Sequence, residues 1–204
     1  AGAGAALRGP LALLAGPEHR GRVAAVGAVW ACLAFAALSN DFWLMRFLHD
    51  TGRETLQRPV SLAQFSAKLA FGVLGAAAVD RAGRRALLVP SFLVAAGATA
   101  GMASAASTTG LFAAVVCNYG ANEVLWSTVM TLTCECFPTD VRAAAVGATV
   151  AAGRAVGALS VALGPALMDA RGLAAPFKLN AGVFFLGALC TLALRQETSG
   201  KPLQ

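Results

Sequence analysis

The sequence predicts an all-α membrane protein whose chain crosses the bilayer six times. Of its 204 residues, 57% are hydrophobic and only 13% are charged, and the mean hydropathy is +0.67. Soluble domains carry about 25% charged residues. The apolar residues are grouped in runs of about 20, which is the helix length needed to cross a hydrocarbon core roughly 30 Å thick. Short polar segments separate these runs, so the chain is expected to be polytopic.

The clearest pair of predicted spans covers residues 60–79 and 86–106. Between them lies the polar segment Asp80-Arg81-Ala82-Gly83-Arg84-Arg85. Its three arginines predict a cytoplasmic location, because Lys and Arg are retained on that side during insertion. Gly83 supplies the backbone freedom that a tight reversal requires. A turn this short predicts that the two helices are antiparallel neighbours.

Four further apolar runs complete the predicted bundle, at residues 23–44, 111–134, 143–167 and 174–194. A polar loop is expected at 45–58, an uncharged turn at 107–110, and polar connections at 135–142 and 168–172. The six-helix unit therefore occupies residues 22–194. Residues 1–21 are interpreted as a cytoplasmic linker or the cut end of a longer chain, and residues 195–204 as a cytoplasmic tail.

The distribution of basic residues predicts that both termini are cytoplasmic. Lys and Arg accumulate in the loops on the cytoplasmic side of a membrane protein. With both termini inside, nine basic residues lie inside and five outside. The inside set is Arg8, Arg20, Arg22, Arg81, Arg84, Arg85, Arg142, Arg195 and Lys201, and the outside set is Arg46, Arg53, Arg58, Arg171 and Lys178.

Three ionisable residues, Lys68, Glu123 and Arg154, fall well inside apolar runs. Charged groups are costly at the bilayer centre, so they usually face a cavity, water or a partner helix. Two interpretations are open. Glu123 could neutralise Lys68 or Arg154 and so hold helices together, or the three groups could line a pathway for a solute. Two cations share one carboxylate, which favours the second interpretation.

Glycine spacing predicts tight helix packing at two places. Gly97 and Gly101 in the third span, and Gly153 and Gly157 in the fifth, have the Gly-x-x-x-Gly spacing that lets helices approach closely.

Several classes of function are disfavoured by the residues present. The sequence contains no nucleophile–base pattern, phosphate-binding loop or dinucleotide fingerprint, so an enzyme is not expected. His19 and His49 are predicted on opposite membrane sides, and Cys134 and Cys136 lack the spacing of a metal site, so no metal or cofactor is expected. Basic clusters interleaved with aromatic residues are absent from the sequence, which argues against nucleic acid as a partner. Membrane lipid is the expected surrounding.

Four sequence segments carry a resemblance to a known family. The segment 80–85 resembles the cytoplasmic Asp-Arg-x-Gly-Arg-Arg loop between helices 8 and 9 of major facilitator transporters. Residues 135–142, Glu-Cys-Phe-Pro-Thr-Asp-Val-Arg, resemble the Glu-x-x-Pro-Thr-x-x-Arg loop after helix 10 of the organic ion transporters of solute carrier family 22. Residues 152–157, followed by Gly164-Pro165, resemble helix 11 of that family. Residues 197–203 are similar to its Pro-Glu-Thr-x-Gly-x-Pro-Leu terminus, with Gln196 in place of the proline.

The resemblance implies that the chain is the C-terminal half, helices 7–12, of a twelve-helix transporter. It also suggests that this transporter is an orphan member of the family. An N-terminal six-helix half is then the implied partner, with the substrate held near the midplane between the halves. By analogy, Arg154 lies where anion-transporting relatives carry an arginine, and Ser66-Ala67-Lys68-Leu69 resembles a helix 8 motif of the same relatives. Lys68 is four residues farther from the 80–85 segment than in that motif, which shifts its depth by about 6 Å.

The function predicted from the sequence is transport of small organic ions by alternating access across the plasma membrane, and Arg154 favours organic anions as the substrates. Arg154, Lys68 and Glu123 are the candidate substrate-binding residues. The implied conformational-gating residues are Asp80, Arg81, Gly83, Arg84, Arg85, Glu135 and Arg142. Two alternatives are kept open. One is a non-transporting member that acts as a receptor or assembly partner, and the other is a self-sufficient six-helix channel formed by oligomerisation.

Overall fold

A computed structural model describes residues 16–17 and 19–194, except for the side chain of Asp80. The predicted linker up to residue 15 and the predicted tail at 195–204 lie outside the described residues. The described chain forms six long α-helices, with a short 3₁₀ turn, Glu54–Leu56, before the second. The helices are α1 Arg20–Asp50, α2 Gln57–Ala82, α3 Arg84–Ser104, α4 Thr108–Cys136, α5 Thr139–Arg171 and α6 Ala175–Ala193.

Each predicted span corresponds to one of these helices, which confirms the all-α polytopic fold. Five helices, all except α4, are long and apolar enough to cross a membrane by length and composition. The fourth helix has 29 residues but carries Asn118, Asn122 and Glu123 near its middle. Both asparagines are buried inside the bundle. The polar residues that lower the hydropathy of α4 are therefore mostly hidden from the lipid.

The helices extend further than the apolar runs do, so the predicted loops are too long. The loop predicted at 45–58 is wrong, because α1 continues to Asp50 and α2 begins at Gln57. An ion pair between Arg46 Nε and Asp50 Oδ2, 2.6 Å apart and one turn along the helix, supports this polar extension. In the 80–85 segment only Gly83 is not helical, and its φ of 83° is the positive value that favours glycine.

The prediction that α2 and α3 are packed neighbours is also wrong. The two helices barely touch, although a single residue joins them; α2 packs on α4, and α3 packs between α4 and α6. Small residues explain the preference of α2 for α4. Gly75 on α2 lies against Val124, and Gly120 on α4 lies directly under the ring of Phe71. Because these contacts remove α2 from α3, sequence adjacency does not decide the packing partner.

The packing pattern is the same for the two halves of the bundle. Helix α1 packs on α5 and α6, and correspondingly α4 packs on α2 and α3. Exchanging α1–α3 with α4–α6 therefore maps the main contacts onto themselves. Successive helices alternate in direction, so α1 and α4 run oppositely. The arrangement is that of an inverted three-helix repeat, as found within six-helix halves of transporters.

The α1–α5 interface confirms tight packing at one of the two glycine pairs. A side chain at Gly157 would overlap Leu38, and Gly153 contacts Ala34 and Trp30 of α1. The other pair does not form a tight interface. Gly97 has open space around it, and Gly101 makes only an ordinary contact with a neighbouring alanine. The same spacing thus marks a close approach in α5 and an exposed surface in α3.

A buried hydrogen-bond network connects four helices at the centre of the bundle. The Thr99 hydroxyl on α3 accepts from Asn40 Nδ2 of α1 at 2.9 Å and from Asn118 Nδ2 of α4 at 2.7 Å. Asn180 Nδ2 of α6 donates to Asn40 Oδ1 at 2.8 Å, and Asn122 Nδ2 donates to Asn118 Oδ1 at 3.1 Å. All five side chains are buried. Because unpaired polar groups are costly in such a core, these bonds fix the relative positions of the helices.

Candidate functional site

The candidate site is a polar surface on one side of the bundle, near mid-depth, which we call the central face. It consists of Asp41 on α1, Lys68 on α2, Glu123 and Trp126 on α4, and Arg154 on α5. All three sequence-predicted substrate-binding residues belong to it. None of the five side chains is fully buried, so each is accessible in the six-helix unit. Neither α3 nor α6 contributes a residue to this face.

Lys68 is neutralised by a carboxylate that sequence reasoning missed. Its Nζ lies 3.3 Å from Asp41 Oδ2 and 3.4 Å from Oδ1. Gln64, one turn earlier on α2, donates Nε2 to Asp41 Oδ1 at 3.1 Å. The lysine also lies 5.1 Å from the ring centroid of the buried Tyr119, within cation–π range. Two donors from one face of α2 therefore hold the Asp41 carboxylate.

The alternative interpretation, in which Glu123 pairs with Lys68 or Arg154, is not observed. Among the described residues, the Glu123 carboxylate makes no ion pair or hydrogen bond, and its Cγ packs against Gly72 on α2. The lysine is paired across the α1–α2 boundary instead. Asp41 could have been found from the sequence, because it lies inside the apolar run at 23–44. Asp41 lies near the end of that run, where a charged residue is usually assigned to the adjoining loop.

Arg154 has a different environment from Lys68. Its guanidinium lies 5.5 Å from the Trp126 ring centroid, and the side chain is exposed. Within the described part of the chain, no carboxylate lies within 4.0 Å of it. A guanidinium in cation–π contact with an aromatic ring uses the ring face and keeps N–H groups available for other partners. Arg154 is therefore oriented by Trp126 and still able to donate.

A cavity of about 360 Å³ lies between α1 and α5, beside Arg154. Its volume falls within the range of small-molecule sites. Asp41 and Arg154 both line it, so a carboxylate and a guanidinium share one small space. The rest of the lining is apolar or small: Leu38, Phe42, Gly157, Ala158 and Val161. Gly157, one of these lining residues, permits the close approach of α5 to α1.

The two loop motifs meet at one end of the bundle. Arg84 Nε donates to Glu135 Oε2 at 3.0 Å, its Nη2 donates to Glu135 Oε1, and its Nη1 donates to the Val79 carbonyl at 2.9 Å. This bidentate geometry is a strong form of charge-assisted hydrogen bond. Arg142 Nε donates to the Phe137 carbonyl at 3.2 Å.

The remaining predicted gating residues lie at the same end. Arg85 donates to the carbonyl of Leu192 in α6, and Gly83 is the buried junction between α2 and α3. Arg81 is exposed on the last turn of α2. The side chain of Asp80 is outside the described residues. The arginine of one motif thus binds the glutamate of the other, which ties the α2–α3 junction to the α4–α5 junction.

The described residues contain no group of three or more His, Cys, Asp and Glu side chains that could hold a metal ion. The five cysteines are free.

The sequence profile described as Major Facilitator Superfamily matches residues 48–204. This match covers the last turn of α1 and all of α2–α6, which is most of the chain. No curated protein matches the chain significantly.

Proposed function

The chain belongs to the major facilitator superfamily, and from this premise we propose that it is one six-helix half of a transporter for small organic anions. Superfamily members are multi-pass membrane proteins that transport solutes. They bind the substrate near the bilayer midplane between two six-helix halves and expose it alternately to either side. In this proposal the central face of the chain is its contribution to that binding site.

The observation that carries the proposal is Arg154. It is a cation near mid-depth that lines the cavity and has no carboxylate partner among the described residues. Charged residues at membrane depth are rare and usually belong to a substrate or ion pathway. Arginine binds carboxylates through two parallel hydrogen bonds, and the Trp126 ring limits its orientations. The Asp41 carboxylate in the same cavity binds Lys68 and not Arg154, so an organic anion would supply the partner that Arg154 lacks.

Other parts of the proposal extend the same premise. The implied N-terminal half would cover the central face and complete the cavity. The plasma membrane and membership of solute carrier family 22 rest on the four resembling segments. We also propose that the Arg84–Glu135 contact works as a gate. While the pair is formed it keeps the α2–α3 and α4–α5 junctions together, and it must break before these junctions can move apart. The receptor and six-helix channel alternatives have no observation in their favour.

The test is uptake of labelled hexanoate by cells that express the full reading frame containing this chain. Arg154→Ala is expected to lower uptake at least tenfold at equal surface abundance, since loss of one partner of a desolvated charge pair costs about 2–5 kcal/mol. Arg154→Lys should retain part of the activity, because it keeps the charge and loses the bidentate geometry. Arg154→Asp should favour organic cations if charge sign sets selectivity.

Arg171→Ala is the matched control, because Arg171 is an exposed arginine in the last turn of the same helix. It should leave uptake unchanged. Glu123 does not pair with Arg154, so Arg154→Ala creates no newly unpaired carboxylate, and surface abundance separates a binding defect from a folding defect. Equal uptake by Arg154→Ala and Arg171→Ala would contradict the proposal.

A further inference from the structure

The two cations of the central face are not equivalent. Lys68 is bound by the Asp41 carboxylate, whereas the Arg154 guanidinium has an aromatic ring and no carboxylate beside it. The face therefore presents one cation that is available to a ligand and one that is already neutralised. The sequence alone shows two cations that could each bind an anion. In the structure only Arg154 of these two lacks a carboxylate partner among the described residues.

Asp41 is held where it can act on a ligand. Gln64 and Lys68 fix its carboxylate from α2, and the same residue lines the cavity together with Arg154. The titratable or charged groups around it are Lys68 from α2, Tyr119 from α4 and Arg154 across the cavity from α5. A second negative charge in this cavity would be repelled by the Asp41 carboxylate, and Lys68 is already bound to Asp41.

We propose that Asp41 determines substrate charge by restricting the site to organic monoanions. This inference rests on the proposed function and names its substrate class. A monoanion binds Arg154 and leaves the Asp41–Lys68 pair intact. On the central face a dianion finds Lys68 as the only other cation for its second carboxylate, and Asp41 already binds Lys68. The dianion therefore brings like charges together beside a largely apolar cavity.

The experiment compares uptake of hexanoate and adipate, a monocarboxylate and a dicarboxylate of equal carbon number, by the full-length transporter. Unaltered protein should prefer hexanoate by about tenfold. Asp41→Asn keeps an acceptor for Gln64, removes the repulsive charge and releases Lys68. The adipate-to-hexanoate uptake ratio is then expected to rise about tenfold. Adding Lys68→Met to Asp41→Asn should return the ratio towards the unaltered value, because the released cation is lost.

Asp169→Asn is the control, since it removes an exposed carboxylate near the far end of α5 and should leave the ratio unchanged. An unchanged ratio in Asp41→Asn, with hexanoate uptake retained, would overturn the inference and leave the proposed function standing. If Asp41→Asn does not reach the surface, competition on the unaltered transporter decides, and equal inhibition by adipate and hexanoate would overturn it. Absence of uptake of either anion by the unaltered transporter would overturn the proposed function itself.

Discussion

At the scale of single residues, Thr99 connects three helices through its side-chain hydroxyl. Its hydroxyl accepts amide hydrogens from both Asn40 and Asn118, which lie on two different helices. Thr191 on α6 is buried equally well, but its hydroxyl donates only to the Gly187 carbonyl of its own helix. Replacing either threonine by valine removes a buried hydroxyl, but only at Thr99 does the change break hydrogen bonds between helices.

We expect Thr99→Val to destabilise the protein much more than Thr191→Val does. The first change leaves the buried Asn40 Nδ2 donor without an acceptor and leaves Asn118 Nδ2 with only the Ala95 carbonyl at 3.2 Å. A buried unsatisfied group costs about 1–3 kcal/mol. The second removes a hydroxyl whose carbonyl partner keeps its helical hydrogen bond. Thermal unfolding of the purified full-length protein in detergent measures the difference. Equal midpoints for the two variants would show that the network contributes nothing to stability.

At the scale of helices, glycine positions decide which pairs approach closely. The α1–α5 interface depends on Gly153 and Gly157, while Gly164 of α5 lies directly against the Trp43 indole. In α3, which has the same spacing, Gly97 borders open space and Gly101 makes only an ordinary contact with Ala114. A small-residue motif therefore permits close contact, and the neighbouring helix determines whether the contact forms.

Gly157→Leu is expected to separate α5 from α1, because the new side chain would occupy the position of Leu38. Overpacking of this kind typically costs 1–3 kcal/mol. The cavity between the helices should change shape, so hexanoate uptake should fall together with the unfolding temperature. Gly97→Leu is the matched control, because Gly97 has open space around it. A Gly97→Leu defect as large as that of Gly157→Leu would refute this account of the interface.

At the scale of the whole molecule, the six helices leave one polar side uncovered. The central face presents Lys68, Glu123 and Arg154 at the surface of the bundle. Around them, α2 exposes several large apolar side chains, namely Leu62, Phe65, Leu69, Val73 and Leu74. A surface that combines apolar area with mid-depth charges suits a protein partner better than lipid. The proposed N-terminal half would provide that cover.

Residues 1–204 expressed alone are therefore expected to insert and then to self-associate or be degraded. Each Arg or Lys turned towards lipid costs about 2.5–3.5 kcal/mol. Co-expression of the N-terminal half should raise the abundance and lifetime of the chain, as measured by pulse-chase. A variant with Arg154→Met and Glu123→Gln should persist longer alone than the unaltered chain. Long-lived, monomeric material from the unaltered chain would contradict the model and favour a self-sufficient six-helix protein.

The sequence by itself determined the properties that depend on local patterns. The length and apolarity of the runs gave six helices, and the motifs around Gly83 and Glu135 identified the superfamily that the profile match confirms. The use of glycine at position 83 was also predictable, because a tight helix reversal favours its backbone freedom, and Gly83 adopts a φ of 83°. These features depend on residues that are close together in the chain, so no knowledge of the packing is needed.

Only the tertiary structure decided which helices and charges meet. Sequence adjacency suggested that α2 packs on α3, whereas Gly75 and Gly120 bring α2 to α4. The charges left open whether Glu123 neutralises Lys68 or Arg154, whereas the lysine binds Asp41, 27 positions away on α1. Ion pairing depends on the distance between side-chain atoms, which follows from helix rotation and packing. The sequence therefore supplied the charged groups of the central face, and the packing of α1 decided which of its cations is paired with a carboxylate.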